Sequence, residues 1–184
     1  MSDLFSFDPK QTLLVGIGYK SRQGKTTLAE ALQDLAPHEI AVFNTSDLLI
    51  NAARWQGLMG QEKDSALLQM FAGVVIKNNP DFLIQQFTYA IRDVNPRIAV
   101  LAGIRDAVQF DWIKMNGGVM VKISRMQENG KPFQTTDRIQ DHWSETNLSS
   151  AIFDYSINIP ECPDYKDIIM EDAVALYEKL RMRF

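Results

Sequence analysis

The stretch LLVGIGYKSRQGKTTLAEAL, residues 13–32, decides the fold. Residues 12–17 form a compact, mostly apolar run of branched side chains, which is typical of a buried strand. From Lys25 onward, apolar side chains recur every three or four positions and Pro37 lies just beyond the last of them, which predicts a helix. A strand, a glycine-containing loop and a helix in this order form the unit from which parallel α/β sheets are built.

The same alternation continues along the rest of the chain. Further strands are predicted at 40–43, 98–101, 119–123 and 155–159, and further helices at 107–116 and 165–183. Residues 47–94 are predicted to be helical with breaks at 57–60 and 78–80, and a turn is predicted at Ala102 and Gly103. The pattern favours the α/β class: three α/β/α layers around a parallel five-stranded sheet, in a single domain over residues 1–184. Since 47–95 is longer than one crossover needs, we expect a helical insertion there that covers an acceptor site.

Composition narrows the range of functions. The chain has 184 residues, 46% of them hydrophobic and 23% charged, with a formal net charge of -4 and a pI near 5.2. This acidic balance argues against broad, sequence-blind binding to nucleic acid and leaves room only for a local basic groove. The single cysteine, Cys162, excludes an internal disulfide and fits an inert thiol in a reducing compartment.

Targeting signals are not found. Residues 1–10, MSDLFSFDPK, have no basic region followed by an apolar one, so we expect no signal peptide. The longest apolar stretches fall well short of the roughly 20 residues that span a bilayer. We therefore expect a cytoplasmic protein without a membrane segment.

The tripeptide Gly24-Lys25-Thr26 lies where the first predicted strand gives way to the first helix. A phosphate-binding loop needs inward-pointing backbone N–H groups, a lysine that reaches phosphate, and a hydroxyl for Mg²⁺ at the mouth of a helix. The strict pattern also asks for glycine five positions earlier, where this chain has Tyr19. The motif is thus either a nucleotide site or a chance tripeptide in an ordinary strand-to-helix turn, and its context favours the nucleotide site.

The expected nucleotide-binding set therefore includes the residues around that tripeptide. The set comprises Tyr19, Ser21, Arg22, Gln23, Gly24, Lys25 and Thr26, with Thr26 as the expected Mg²⁺ ligand. Lys20 also lies in the loop and is better explained as a solvated charge.

Charged side chains follow the ends of the second and third predicted strands, the edge where ligands collect in a parallel sheet. Asp47 is either a catalytic group that orients or deprotonates an acceptor hydroxyl, or a first-turn carboxylate that favours the helix dipole. Arg54 is a weaker candidate for anchoring an acceptor. Arg105 suits bidentate phosphate recognition, and Asp106 is either a functional acid or the N-cap of the next helix.

Residues 125–141 are polar and carry Arg125, Lys131 and Arg138. A basic flap of this kind neutralises charge on a transferred phosphoryl group and excludes water, so we expect a lid here. Just beyond it, the sequence DHWSETNL brings a histidine, a serine and a glutamate together. No nucleophile elbow accompanies them, so a capping arrangement around Ser144 is favoured over a hydrolase triad.

Three blocks, GYKSRQGKTTLAEAL, GIRDAVQFDWIKMNGGVMVKISR and DHWSETNLSSAIFDYSINI, together resemble phage-type deoxynucleoside monophosphate kinases. The resemblance covers most of residues 12–160. It implies a P-loop NTPase fold similar to that of adenylate and dephospho-coenzyme A kinases, and transfer of the γ-phosphate of ATP to a deoxynucleotide with Mg²⁺. The resemblance further implies a role for seven residues. Gly24, Lys25, Thr26 and Thr27 would hold ATP phosphates and Mg²⁺, Arg105 would face the reacting phosphates, and Arg125 and Arg138 would bound the lid.

Two departures from that family fall on the acceptor side. Gly103 stands where the family usually has an acidic residue, and Lys77 is the nearest match to an expected arginine. An alternative is therefore a phage DNA-modification kinase that phosphorylates 5-hydroxymethyluracil in DNA, with a local groove lined by Lys20, Arg22, Lys63 and Lys77. A second alternative is a regulatory module that binds nucleotide without transfer. A homodimer is compatible with any of the three.

Overall fold

The computed structural model describes residues 12–60, 62, 64–127, 130–131, 133 and 142–183. Its five strands are β1 (Leu13–Gly18), β2 (Ile40–Asn44), β3 (Ile98–Ile104), β4 (Val119–Met126) and β5 (Tyr155–Pro160). They form one sheet in the order β2-β3-β1-β4-β5, and every pairing is parallel. The first strand is thus central, between strands that come about 85 and 105 residues later.

Seven helices connect and cover the strands in the described part of the chain. They are α1 (Lys25–Leu35), α2 (Thr45–Trp55), α3 (Ser65–Asn78), α4 (Phe82–Val94), α5 (Ala107–Met115), α6 (Trp143–Thr146) and α7 (Tyr165–Arg181). One hydrophobic core joins the sheet to α1 and α7, and a second joins the opposite face to α2, α3, α4 and α5. The predicted α/β class with three layers and a parallel five-stranded sheet is confirmed. None of these helices is both long and apolar enough to cross a bilayer.

The central strand is buried on both faces. Val15 and Ile17 face the core with α1 and α7, whereas Leu14 faces the other core. Gly16 also belongs to this strand, and a Cβ on it would lie 2.4 Å from the Met120 sulfur. Strands buried on both faces contain near-continuous apolar runs, which is why β1 was predictable from its sequence.

The third strand is longer than predicted. We expected it to end at 101 and to turn at Ala102 and Gly103, but it continues to Ile104. Gly18 pairs with Ile104 whereas Ile17 pairs with Ala102, so Gly103 is an extra residue in a β-bulge, with a φ of +92°. The predicted turn is therefore wrong, because glycine here permits a left-handed bulge inside the strand. Bulges redirect the chain that follows them, which here begins with Arg105.

The helical region after β2 agrees with its prediction. Helices α2, α3 and α4 fall within 45–94 and are separated near the expected breaks. Within the predicted lid, 125–141, the structure describes residues 125–127, 130–131 and 133. Arg125 and Met126 belong to β4, which runs three residues past its predicted end. Arg138 lies outside the described residues, as does Lys63.

Candidate functional site

A cleft of about 1220 Å³ opens at the carboxyl edge of the sheet. One end is lined by residues of the loop between β1 and α1 and by Arg105, which follows β3. The other end is lined by α2, α3 and the first residues of α6. Ligands of parallel α/β sheets bind at this edge, so the cleft is the candidate functional site.

The loop of residues 19–24, called the phosphate loop below, has three residues in the left-handed region. Tyr19 and Gly24 both have φ of +97°, and Arg22 has φ of +52°. Tyr19 therefore adopts the backbone conformation for which the strict pattern uses glycine, at a cost of about 1–2 kcal/mol. Its ring is held by an edge contact with Phe153, at 6.5 Å between centroids, and by the Lys122 ammonium 4.2 Å from the ring centre.

Lys25 and Thr26 begin α1 at the mouth of the cleft. The Lys25 side chain is buried, and its ammonium donates a hydrogen bond to the Lys20 carbonyl, so it folds back across the phosphate loop. Thr26 is exposed in the first helical turn and lines the cleft. The space next to Gly24 is already filled, because a Cβ on this residue would lie 3.0 Å from the Ile169 side chain.

Gln23 fixes the phosphate loop to the end of β4. Its fully buried amide nitrogen donates to the carbonyl oxygens of Ser21 (3.1 Å) and Phe133 (2.8 Å). Its amide oxygen accepts from the Arg125 backbone N–H at 2.6 Å. With its donor and acceptor both engaged, Gln23 supports the phosphate loop from within rather than facing the cleft.

Arg105 joins the phosphate loop to α6. Its guanidinium forms an ion pair with Glu145 and donates to the Ser21 hydroxyl at 3.0 Å. The other Glu145 oxygen accepts the Ser21 backbone N–H at 2.9 Å. Sequence reasoning weighed Glu145 only as a triad member and missed this contact, because its partners lie 40 and 124 residues away and leave no local pattern.

Asp106 pairs with the same segment. It is the N-cap residue of α5, and its Oδ1 accepts from the Asn147 amide at 3.0 Å. Its Oδ2 is buried and has no partner of normal hydrogen-bond geometry within the ranges that the structure describes. Burial raises the pKa of Asp106, although the N–H groups of Val108 and Ala107 and the Asn147 amide oppose that shift.

The far end of the cleft is apolar with a few polar groups. Its apolar lining residues are Leu49, Leu68, Ala72, Ile76, Leu83 and Trp143. Gln69 and Gln109 are both 2% exposed; the Gln69 amide donates to the Ser144 hydroxyl at 3.4 Å. Among the described residues, the Gln109 carbonyl oxygen and the Thr45 hydroxyl are buried and have no hydrogen-bond partner, so both can accept a hydrogen bond from a ligand.

The predicted site residues divide into three groups. Those that line the cleft are Ser21, Arg22, Lys25, Thr26 and Arg105. Those that build the phosphate loop or the first turn of α1 without lining it are Tyr19, Gln23, Gly24 and Thr27. Asp47, Arg125 and Arg138 form the third group, away from the described cleft lining or outside the described residues.

Asp47 is exposed in the first turn of α2 and does not line the cleft. Its position supports the helix-dipole role, and its catalytic role stays a prediction without support from position. Arg54, on the same helix, donates from Nε to the Gly60 carbonyl at 3.1 Å.

Arg125 is held outside the cleft lining by its own neighbours. Its guanidinium lies between the rings of Phe133 and Tyr165, 4.8 and 4.7 Å from their centres, and it pairs with Glu161 at 3.5 Å. These contacts fix the first residue of the predicted lid; a catalytic role for Arg125 stays a prediction.

The serine, histidine and glutamate of DHWSETNL do not form a triad. His142 is the N-cap of α6, where its ring accepts the Ser144 backbone N–H at 3.3 Å. Glu145 faces Arg105 instead of the imidazole. The favoured capping arrangement is present, with the histidine rather than the serine as the cap residue.

Comparisons with known proteins find structural likenesses at low sequence identity. No protein-family model matches the chain, and no curated protein sequence matches it either. Similar solved structures include a shikimate kinase from Acinetobacter baumannii in complex with shikimate (11% identity, 91% of this chain, 94% of that chain, TM-score 0.49). Others are a shikimate kinase from Aquifex aeolicus (14%, 91% and 98%, 0.47) and a gluconokinase from Sinorhizobium meliloti (12%, 94% and 97%, 0.43). Likeness at this level assigns no activity, so function has to be argued from the side chains of the cleft.

Proposed function

We propose that this protein is an ATP-dependent phosphotransferase that moves the γ-phosphate of ATP to a deoxynucleoside monophosphate. The observation that carries the proposal is the single cleft that joins a cationic phosphate loop to an apolar wall with buried amides. Arg105 lines the phosphate-loop end and pairs with Glu145 of α6, a helix whose first residues line the other end, so it is suited to hold a phosphoryl group that passes between two substrates.

The phosphate-loop end supplies what a triphosphate needs. The N-terminus of α1, at Lys25, directs toward the cleft a positive dipole end and first-turn backbone N–H groups that have no partner inside the helix. Lys25 already donates to a loop carbonyl, and a phosphate oxygen would replace that acceptor with a charged one. Arg22 and Arg105 add two further cations to the same end.

The residues present also fit Mg²⁺ bound together with ATP. Mg²⁺ keeps several waters and takes one or two protein ligands besides phosphate oxygens. Thr26 offers an exposed hydroxyl at the first turn of α1, at the phosphate-loop end of the cleft. The bound ion would neutralise developing charge on the phosphates, and Thr26 would hold it there.

The acceptor end suits a nucleobase. A base has apolar faces and an edge of donors and acceptors, and the cleft offers apolar side chains together with the Gln69 and Gln109 amides. A base N–H would give the buried Gln109 oxygen a hydrogen-bond partner, which it lacks in the described part of the chain. The phosphate of the acceptor would then extend toward Arg105.

One assay tests the proposal: labelled ATP and Mg²⁺ are incubated with the protein and each deoxynucleoside monophosphate in turn. We expect label in one or a few of the deoxynucleoside diphosphates. A parallel reaction contains DNA with 5-hydroxymethyluracil, and label found only in that DNA would replace the proposal with the DNA-modification kinase. Tight ATP binding with no transfer to any acceptor would indicate a regulatory module.

The basic groove predicted for a DNA substrate gains little from the structure. Of its three described residues, Lys20, Arg22 and Lys77, only Arg22 lines the cleft, and Lys77 is exposed at the end of α3. A free nucleotide is therefore the preferred acceptor. A cytoplasmic location and a homodimer stay predictions.

A further inference from the structure

Glu145 is a buried carboxylate that the proposed chemistry does not use. Its side chain is 4% exposed, it lies on the short helix α6, and it is not among the residues lining the cleft. One oxygen pairs with the Arg105 guanidinium and the other accepts the Ser21 backbone N–H at 2.9 Å. Arg105 closes the ring by donating to the Ser21 hydroxyl at 3.0 Å.

This ring constrains the guanidinium more than a single ion pair would. A free arginine side chain has many rotamers, and it loses conformational entropy when a ligand fixes it in one orientation. A guanidinium that the protein already holds in place avoids this loss on binding. Two contacts from different guanidinium nitrogens, one to Glu145 and one to Ser21, fix both its position and the plane of its fork. The same carboxylate fixes the backbone of the phosphate loop at Ser21.

Helix α6 is itself held, so Glu145 is a firm support. Asp106 accepts a hydrogen bond from Asn147, next to the ion pair between Arg105 and Glu145. Two consecutive residues after β3 therefore bind two residues of the α6 segment. On the other side, the Ser144 hydroxyl accepts from Gln69 of α3 at 3.4 Å. The segment that carries the Glu145 carboxylate is therefore held on one side by the residues that follow β3 and on the other side by Gln69 of α3.

We propose that Glu145 is a positioning residue that orients Arg105 and the phosphate loop for phosphate binding while touching neither substrate. This inference rests on the proposed function in one respect only: the phosphate loop must bind nucleotide phosphate. The charge of Glu145 acts through Arg105, so the contribution of that charge to phosphate binding exists only while the arginine is present, whereas the contact with the Ser21 N–H requires only an oxygen.

A double-mutant cycle of Glu145→Gln and Arg105→Gln tests the proposal, with ATP affinity measured by calorimetry in the absence of acceptor. Glutamine keeps an oxygen for the Ser21 N–H but removes the charge that pairs with the guanidinium. We expect each single variant to weaken ATP binding by about tenfold, in the range of a lost hydrogen bond to a charged group. The double variant should bind no more weakly than Arg105→Gln alone.

Purely additive losses, or an unchanged ATP affinity in Glu145→Gln, would overturn the positioning role. Glu39→Gln is the matched control, because Glu39 also pairs with an arginine, Arg97 at 3.4 Å, but away from the cleft. Its ATP affinity should equal that of the wild type. If Glu145→Gln does not fold, Glu145→Asp takes its place in the cycle, since it keeps the charge but is too short to reach both partners at once.

The experiment separates failure of this inference from failure of the proposed function. A wild-type protein that binds no ATP would contradict the proposed function and remove the basis for a phosphate-positioning role. A wild type that binds ATP, combined with an additive cycle, would leave the proposed function intact and assign Glu145 to stability alone.

Discussion

The two ends of the cleft differ in how their polar groups are satisfied. At the phosphate-loop end, Gln23, Lys25 and Arg105 all make hydrogen bonds within the protein. At the acceptor end, the Gln109 oxygen and the Thr45 hydroxyl are buried without a partner among the described residues. The first end is organised before any ligand arrives, whereas these two groups of the second end can gain a hydrogen bond when a ligand binds.

The largest expected effect on activity comes from removing the Lys25 ammonium at the phosphate-loop end of the cleft. Lys25→Ala should lower phosphoryl transfer by about 10³-fold, because a charged donor to the phosphates is lost in a site shielded from water. Lys20→Ala is the matched control in the same loop, and since Lys20 does not line the cleft its activity should stay close to that of the wild type. Equal losses in both variants, measured as kcat/KM, would contradict the assignment of Lys25.

The acceptor end should respond with a different kinetic signature. Gln109→Leu removes the unpartnered buried oxygen, so we expect the free energy of unfolding to be unchanged or higher. The KM for the acceptor should rise by about 10-fold while that for ATP stays constant, because one hydrogen bond to the acceptor is lost. Gln33→Leu on α1, outside the cleft, serves as the control. An unchanged acceptor KM would show that Gln109 does not contact the acceptor.

A substitution at Gly103 tests whether the β-bulge in β3 requires glycine. Gly103→Ala should lower the free energy of unfolding by about 1–2 kcal/mol, because a φ of +92° is a left-handed backbone conformation that disfavours a residue with a Cβ. A melting temperature lower by about 2–8 °C corresponds to this loss. Gly60→Ala, with open space around its Cβ and no left-handed φ, should melt with the wild type. Equal stability of both variants would mean that the bulge does not require glycine.

The smallest effect is expected at Asp106. Burial raises its pKa in the folded state above the ordinary 3.8, so the stability that this group contributes is present at low pH and is lost as pH rises through the folded pKa. Asparagine is an equal N-cap without this titration, so Asp106→Asn should be more stable at pH 7 by less than about 1 kcal/mol. The gain should vanish as pH falls below 3.8.

Denaturant unfolding across this pH range measures the difference. The exposed Asp34→Asn on α1 provides the comparison, and its difference from the wild type should not follow the same curve. A variant at Asp106 that is less stable than the wild type at pH 7 would contradict the expected sign.

Much of the fold was predictable because its signals are local. The strands 40–43 and 155–159 and the helix starting at Lys25 depend on runs and periods within about ten residues, and the structure has them within one residue at each end. The end of β3 was not predictable, because Ala-Gly resembles a turn unless the pairing of Gly18 with Ile104 is known.

The residues of the candidate site also divide into those with a local sequence signal and those without one. Gly24-Lys25-Thr26 is recognisable because the tripeptide and its helix are contiguous. The loop does not match the strict pattern because it has Tyr19 in place of glycine. That pattern specifies a residue type, whereas the physical requirement at this position is a positive φ. The contact between Glu145 and Arg105 carries no signal in a single sequence, since each residue alone is compatible with a solvated charge.

The supports of the phosphate loop have a consequence for incomplete chains. Ser21 depends on a side chain 124 residues later, and Gln23 depends on a carbonyl 110 residues and an amide 102 residues later. A nascent or truncated polypeptide that ends before residue 125 would carry the whole Gly-Lys-Thr motif but none of these three contacts. Nucleotide affinity should therefore appear late and abruptly during chain completion, and it can serve as a readout of how much of the molecule has folded.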